Sequence, residues 1–150
     1  MLGSAFPSLS KPLTTSKVLG LYFASSWCPD CTPVTPALKN VYESQPQAAQ
    51  LNFEVVYVSS DRSKDQLMES YKRSHGKWDY IDFDSEERSE LKRKFGVCAG
   101  AEVAALNMAG KRNYGIPTLV LIDCETENIL SFDGVQDVMS GNLLQKWGLA

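Results

Sequence analysis

The chain has a single histidine, no run of 18 consecutive apolar residues and no excess of positive charge. Without a long apolar run, no membrane span is expected. A net charge of -3 gives no reason to expect nucleic acid or an anionic membrane surface as partner. The start, Met1-Leu2-Gly3-Ser4-Ala5-Phe6-Pro7, lacks a basic region followed by a long apolar one, so it does not read as a secretory signal. Gly3 is not at the second position, which removes the myristoylation pattern. No internal repeat or low-complexity segment is apparent. Cysteine is also scarce: Cys28, Cys31, Cys98 and Cys124. A chain of 150 residues can build a core without disulfide staples. A reducing compartment with one reactive pair therefore fits better than structural bridges. The expectation is one monomeric domain, 1–150, in the cytoplasm, with the nucleus as alternative.

What is present is an alternation of buried strands and helical segments. Residues 1–17 read as a loop-rich lead-in, with a short strand near Leu9 to Leu13. Val18 to Ala24 is continuously apolar and suits a strand buried on both faces. Helical spacing follows from Cys28 to about Ser44, with Val34, Leu38, Val41 and Tyr42 on one face. Pro33 and Pro36 would bend that helix. Asn52 to Ser59 is a second buried strand. Ser63 to Gln66 resembles a capping box that opens a helix to about Arg73. Asp84 and Ser85 can cap a further helix to about Phe95, which Gly96 ends. A short helix is expected near Ala101 to Met108. Thr118 to Asp123 and Ile129 to Asp133 complete the strands, and Asp137 to Trp147 forms a last helix, weakened by Gly141. This order predicts an α/β fold: a central mixed sheet with helices on both faces and an antiparallel closing hairpin.

The chemistry centres on Cys28 and Cys31, two residues apart where a strand hands over to a helix. Exposed amides at a helix start stabilise a thiolate, the form in which cysteine is a nucleophile. Pro29 falls at the first helical position, where a missing N–H is harmless. Two such cysteines are either half a zinc site or a redox pair. Zinc needs further ligands. Cys98 and Cys124 are far apart in sequence and His75 is the only histidine, so the redox reading is favoured. In that reading Cys28 attacks a target disulfide and Cys31 resolves the mixed disulfide, with no bound cofactor or metal. Asp30 adds a carboxylate that opposes a thiolate at Cys28 by roughly 1 kcal/mol.

The stretch Leu21-Tyr22-Phe23-Ala24-Ser25-Ser26-Trp27-Cys28-Pro29-Asp30-Cys31 resembles the active-site stretch of the thioredoxin-like superfamily. The nearest branch is tryparedoxin/nucleoredoxin, whose usual motif is Trp-Cys-Pro-Pro-Cys. Pro36 matches the proline of the active-site helix. Asn52 to Ser59 with Asp61, Trp78, Lys94-Phe95-Gly96-Val97 and Ile116-Pro117-Thr118-Leu119 also have counterparts. The resemblance implies a thioredoxin-like fold and a thiol–disulfide oxidoreductase that reduces protein disulfides. It implies a cis Ile116–Pro117 bond against the dithiol. Trp27, Pro29, Ile116 and Pro117 would then contact substrate, the backbone beside Pro117 pairing with an extended segment. Implied partners are disulfide-containing proteins, peroxiredoxins among them, and an external reductant: a low-molecular-weight dithiol, glutathione or a reductase.

Three features depart from those relatives. Asp30 replaces the second proline. Tyr22 stands where thioredoxin proper has a buried acid, a trait shared with the nucleoredoxin branch. Residues 98–115 intervene before the cis-proline loop, either as a surface excursion or as an element of partner selection. The other class of function is a redox-sensitive protein-binding module without significant turnover. For the rest, Cys98 and Cys124 read as small buried hydrophobes. His75 and the Lys92-Arg93-Lys94 cluster read as solvent-facing. Trp27 is balanced between packing and substrate contact.

Overall fold

The computed structural model describes residues 1–150. Every residue of strand β1 (Val18–Ala24) is buried, as its unbroken apolar sequence requires. β1 pairs in parallel with β2 (Phe53–Ser59) and antiparallel with β4 (Thr118–Asp123). Two short strands, β3 (Asp79–Tyr80) and β5 (Ile129–Ser131), form the edges, so the order is β3-β2-β1-β4-β5. Around this mixed sheet lie α1 (Leu2–Ala5), α2 (Ser10–Thr15), α3 (Val34–Glu43), α4 (Lys64–Ser74), α5 (Glu86–Phe95), α6 (Gly134–Ser140) and α7 (Leu143–Lys146).

Alternation along the strands separates two cores. Tyr22, Ala24, Val55, Tyr57, Leu119 and Leu121 face Leu38 and Tyr42 of α3, Leu67 of α4 and Val138 of α6. Leu19, Leu21, Phe23, Val56, Val58, Val120 and Ile122 face Leu91 and Phe95 of α5 and the N-terminal helices. Ser63 caps α4 by accepting from the Gln66 amide at 3.1 Å, and Gln66 reaches back to the Arg62 amide at 2.7 Å. Ser85 caps α5, which ends at Gly96 in the left-handed region.

Residues 1–17 are not the loop-rich lead-in expected, and no strand forms near Leu9 to Leu13. They fold as α1, a 3-10 turn over Pro7–Leu9, and α2. Leu2, Phe6, Leu9 and Leu13 recur at helical spacing and bury one stripe against the second core. Pro7 and Pro12 each sit in the first turn of their segment, where no amide is needed.

The helix expected from Cys28 begins only at Val34. Residues 28–33 are tight turns, closed by the Cys31 amide on the Cys28 carbonyl at 3.1 Å and the Thr32 amide on Pro29 at 3.2 Å. Pro33 becomes the N-cap and Pro36 falls in the first turn, so neither interrupts a helix. The expected last helix is two, α6 and α7, because Gly141 takes a φ of 72° and stops the first. The helix expected near Ala101 to Met108 is only a 3-10 turn, Gly100–Glu102, followed by turns around a small core of Cys98, Leu106 and Met108.

His75 does not face solvent. Its ring lies 4.2 Å from that of Tyr57 and 5.6 Å from those of Tyr71 and Trp78, centroid to centroid. The Trp78 indole N–H donates to His75 Nδ1 at 3.3 Å. Burial pushes the imidazole pKa down from 6.5 to about 4. The unfolded chain therefore binds the proton more readily, so this group's stabilisation is complete above about pH 6.5 and is lost as pH falls towards 4. Partial exposure limits the effect to about 2 kcal/mol. In urea unfolding, the wild type should lose about that much more stability than His75→Gln between pH 7 and pH 4.5. Equal losses would show that the histidine is not linked to folding.

Candidate active site

Strand register brings three chain segments together. Ala24 of β1 pairs with Ser59 of β2, and Phe23 pairs with Thr118 of β4. The loop after β1, the exit from β2 and the entry to β4 therefore meet at one end of the sheet. The first carries Ser25 to Cys31, the second Ser60 and Asp61, the third Ile116 and Pro117. The Ile116–Pro117 bond is cis. Cys28 Sγ lies 3.9 Å from the Ile116 carbonyl oxygen, within reach of a sulfur hydrogen bond.

All four cysteines are free thiols. Cys28 is 5% exposed and Cys31 1%, so Cys28 is the more accessible of two sheltered groups. Burial pushes the Cys31 thiol well up, and the neighbouring Cys28 sulfur adds to the rise. The Ser25 backbone works the other way. The Asp30 carboxylate is exposed, and its charge is among those that disfavour a thiolate at Cys31. Tyr22 is buried near the pair, its hydroxyl 2.7 Å from Thr35 Oγ1. Burial raises the Tyr22 hydroxyl far above neutrality, so it acts as a dipole and not as an acid.

The loop carrying the dithiol is held by groups that sequence reasoning left without a role. Asp61 is buried. Its Oδ1 accepts from the Ser26 amide at 2.8 Å and the Ser26 hydroxyl at 2.6 Å. Its Oδ2 accepts from Tyr57 at 3.1 Å and Ser59 at 2.6 Å. A carboxylate just beyond an apolar strand was the available signal. Trp27 is half-buried; its indole N–H donates to the Ser60 carbonyl at 2.9 Å, and the Arg62 guanidinium lies 4.6 Å above the ring. Pro29 is exposed and Ile116 and Pro117 are partly so, all around Cys28.

The 98–115 segment reaches the β2 exit beside this loop through Glu102. Glu102 Oε1 accepts from Ser60 Oγ at 2.6 Å and from the Ala99 amide at 3.0 Å. Glu102 Oε2 accepts from Lys92 Nζ at 2.6 Å. Lys92, expected on a solvated face, is 1% exposed because this segment covers it. Burial lowers the Lys92 pKa, and the Glu102 charge opposes that. Cys98 packs inside the segment and Cys124 in the second core, where burial pushes its thiol up to about 11. A cavity of about 660 Å³ beside Tyr42, Gln45 and Leu51 lies at the opposite end of the parallel strands, away from this chemistry.

Removing one partner of the buried Lys92–Glu102 pair strands a charge. Glu102→Ala should lower the unfolding free energy by about 3 kcal/mol. Adding Lys92→Met should restore at least half of it, since no unpaired charge then remains. Strictly additive losses in denaturant titrations would show that the pair does not act as a unit.

A family profile described as Thioredoxin-like matches residues 16–129. Human nucleoredoxin is 32% identical over 112 residues, 74% of this chain and 21% of its own length. The chain thus spans about a fifth of the nucleoredoxin it matches. The tryparedoxin of Trypanosoma brucei brucei is 34% identical over 115 residues, 76% of this chain and 66% of the relative. Among solved structures, thioredoxin from Wuchereria bancrofti superposes with a TM-score of 0.69 at 34% identity, covering 93% of this chain and 85% of that one. The fold, the matched segment and the Cys28–Cys31 dithiol agree: the chain belongs to the thioredoxin-like family and carries the motif of a thiol–disulfide oxidoreductase.

Proposed function

We propose that this protein reduces disulfides in other proteins. The observation that carries the reading is the asymmetry of the pair: Cys31 is buried and held protonated, while Cys28 sits outermost, against the Ile116 carbonyl. A group that keeps its proton is a poor first attacker. Cys28, as thiolate, attacks a target sulfur. One target sulfur leaves as a thiolate and takes up a proton; the other is joined to Cys28 in a mixed disulfide. Cys31 then loses its proton to solvent and attacks Cys28 Sγ. The second target thiolate leaves, and the Cys28–Cys31 disulfide forms. Two electrons have passed to the target, and an external thiol must return them. The donor in that role would be a low-molecular-weight dithiol, in keeping with the likeness to tryparedoxin, or else glutathione or a reductase, and peroxiredoxins would be among the targets. In this scheme Trp27, Pro29, Ile116 and Pro117 form the rim that meets the substrate segment, and residues 98–115 border that rim and help to select partners. A pair that must be kept reduced suits a reducing compartment, the cytoplasm or the nucleus, where the protein would act as a monomer.

With insulin as substrate and a panel of trypanothione, glutathione and thioredoxin reductase as donors, at least one donor should sustain many turnovers. Cys28→Ser should abolish turnover, and Cys31→Ser should accumulate one equivalent of mixed disulfide. Stoichiometric reaction without turnover under every donor would favour the redox-sensitive binding module instead.

Resolution requires the Cys31 thiolate, so its rate should rise with pH well beyond neutrality. Asp30→Asn removes one of the charges that hold the Cys31 proton. It should speed resolution at pH 7 by roughly two- to five-fold, the equivalent of ~1 kcal/mol or less. Stopped-flow decay of a preformed mixed disulfide measures this directly, and a slower decay in Asp30→Asn would contradict the assignment.

A further inference from the structure

A second cavity, about 400 Å³, lies behind the dithiol, between the Ser25–Cys31 loop, the first half of α3 and the end of α4. Cys31 forms part of its wall. So does Ser25, which is 5% exposed and whose hydroxyl is buried without a hydrogen-bond partner. A buried hydroxyl left unpaired is costly, and a bound water or ion is one of the ways folded proteins satisfy such a group. His75 lines the same space. Because its Nδ1 accepts from Trp78, the neutral ring carries its proton on Nε2, which is therefore a donor. Lys39 and Arg73 complete the wall. Arg73 shares its charge with Glu69 at 3.0 Å, whereas Lys39 is in none of the ion pairs. No Asp or Glu lines the cavity. The carbonyl end of α4 and the Asp61 carboxylate, whose charge acts on His75, oppose a negative charge here, and Lys39, with what Arg73 has left after Glu69, offsets them.

We propose that this cavity binds a small oxyanion beside Cys31. The Ser25 hydroxyl and His75 Nε2–H would donate to it, with Lys39 and Arg73 as counter-charges. The anion could be free, such as phosphate, or the carboxylate of a thiol donor; both present the same chemistry to these groups. Binding has a consequence that rests on the resolving role proposed for Cys31. A negative charge against that thiol disfavours its thiolate, so an occupied cavity slows resolution, and by reciprocity Cys31 ionisation weakens the anion.

The single histidine makes the test direct, because its ring resonances in NMR need no disentangling. The reduced full chain is titrated at constant ionic strength with inorganic phosphate and, separately, with S-methylglutathione, which carries carboxylates but cannot exchange thiols. Saturable shifts of the His75 ring are expected with at least one. Tighter phosphate binding identifies a free oxyanion, and tighter S-methylglutathione binding identifies a donor carboxylate. Lys39→Gln and Ser25→Ala should each weaken binding about five-fold, and Lys39→Arg should restore it. Absence of saturable shifts with both probes, or equal affinity in Lys39→Gln, overturns the proposal. The titration involves no turnover, so an inactive protein that still binds would count against the reductase reading alone.

Discussion

The structure depends on the placement of β1 between β2 and β4. A seven-residue strand with no polar face can be accommodated only at the centre of a covered sheet. Once there, its register with both neighbours determines what lies beyond its end. The parallel partner exits beside it, delivering Ser60 and Asp61, and the antiparallel partner enters beside it, delivering Ile116 and Pro117. The dithiol loop is therefore bracketed by two segments 30 and 88 residues away in sequence from its cysteines, respectively Asp61 from Cys31 and Ile116 from Cys28.

The polar groups at that end divide the work. Asp61 spends its four hydrogen bonds on the loop and the β2 exit, so the backbone before Cys28 is held by a charge-assisted network. Glu102 does the same at longer range, joining the 98–115 segment to Ser60, whose carbonyl holds the Trp27 indole. Burial then holds the proton on Cys31. Chemistry at this site therefore rests on a rigid frame, with the proton held on the inner sulfur by a shortage of solvent and a surplus of negative charge.

Much of this was legible in the chain. Val18 to Ala24, Phe53 to Ser59 and Thr118 to Asp123 read as strands because their apolar runs are too short for buried helices and rich in strand formers. Ser63, Ser85 and Gly96 marked helix ends because capping is a local matter of one side chain and the next few amides. The misreadings share a cause. Residues 1–17 looked like loop because their prolines and serines were counted without asking where in a turn each would fall. The helix after Cys28 looked merely bent because Pro33 and Pro36 were read as interior to it, whereas tight turns over 28–33 put them at its start. His75 and Lys92 looked exposed because their covers, an aromatic cluster and the 98–115 segment, come from elsewhere in the chain.

By itself, then, the amino-acid sequence determined the three long strands, several helix ends and the dithiol after the first strand, since these follow from local periodicity and from residues close in the chain. Only the tertiary structure decided which carboxylates hold the active loop, which thiol keeps its proton and which polar groups face a common cavity. Those are matters of distance and burial between segments far apart in sequence. Desolvation and charge depend on what surrounds a group in space, and no spacing along a single strand or helix encodes that.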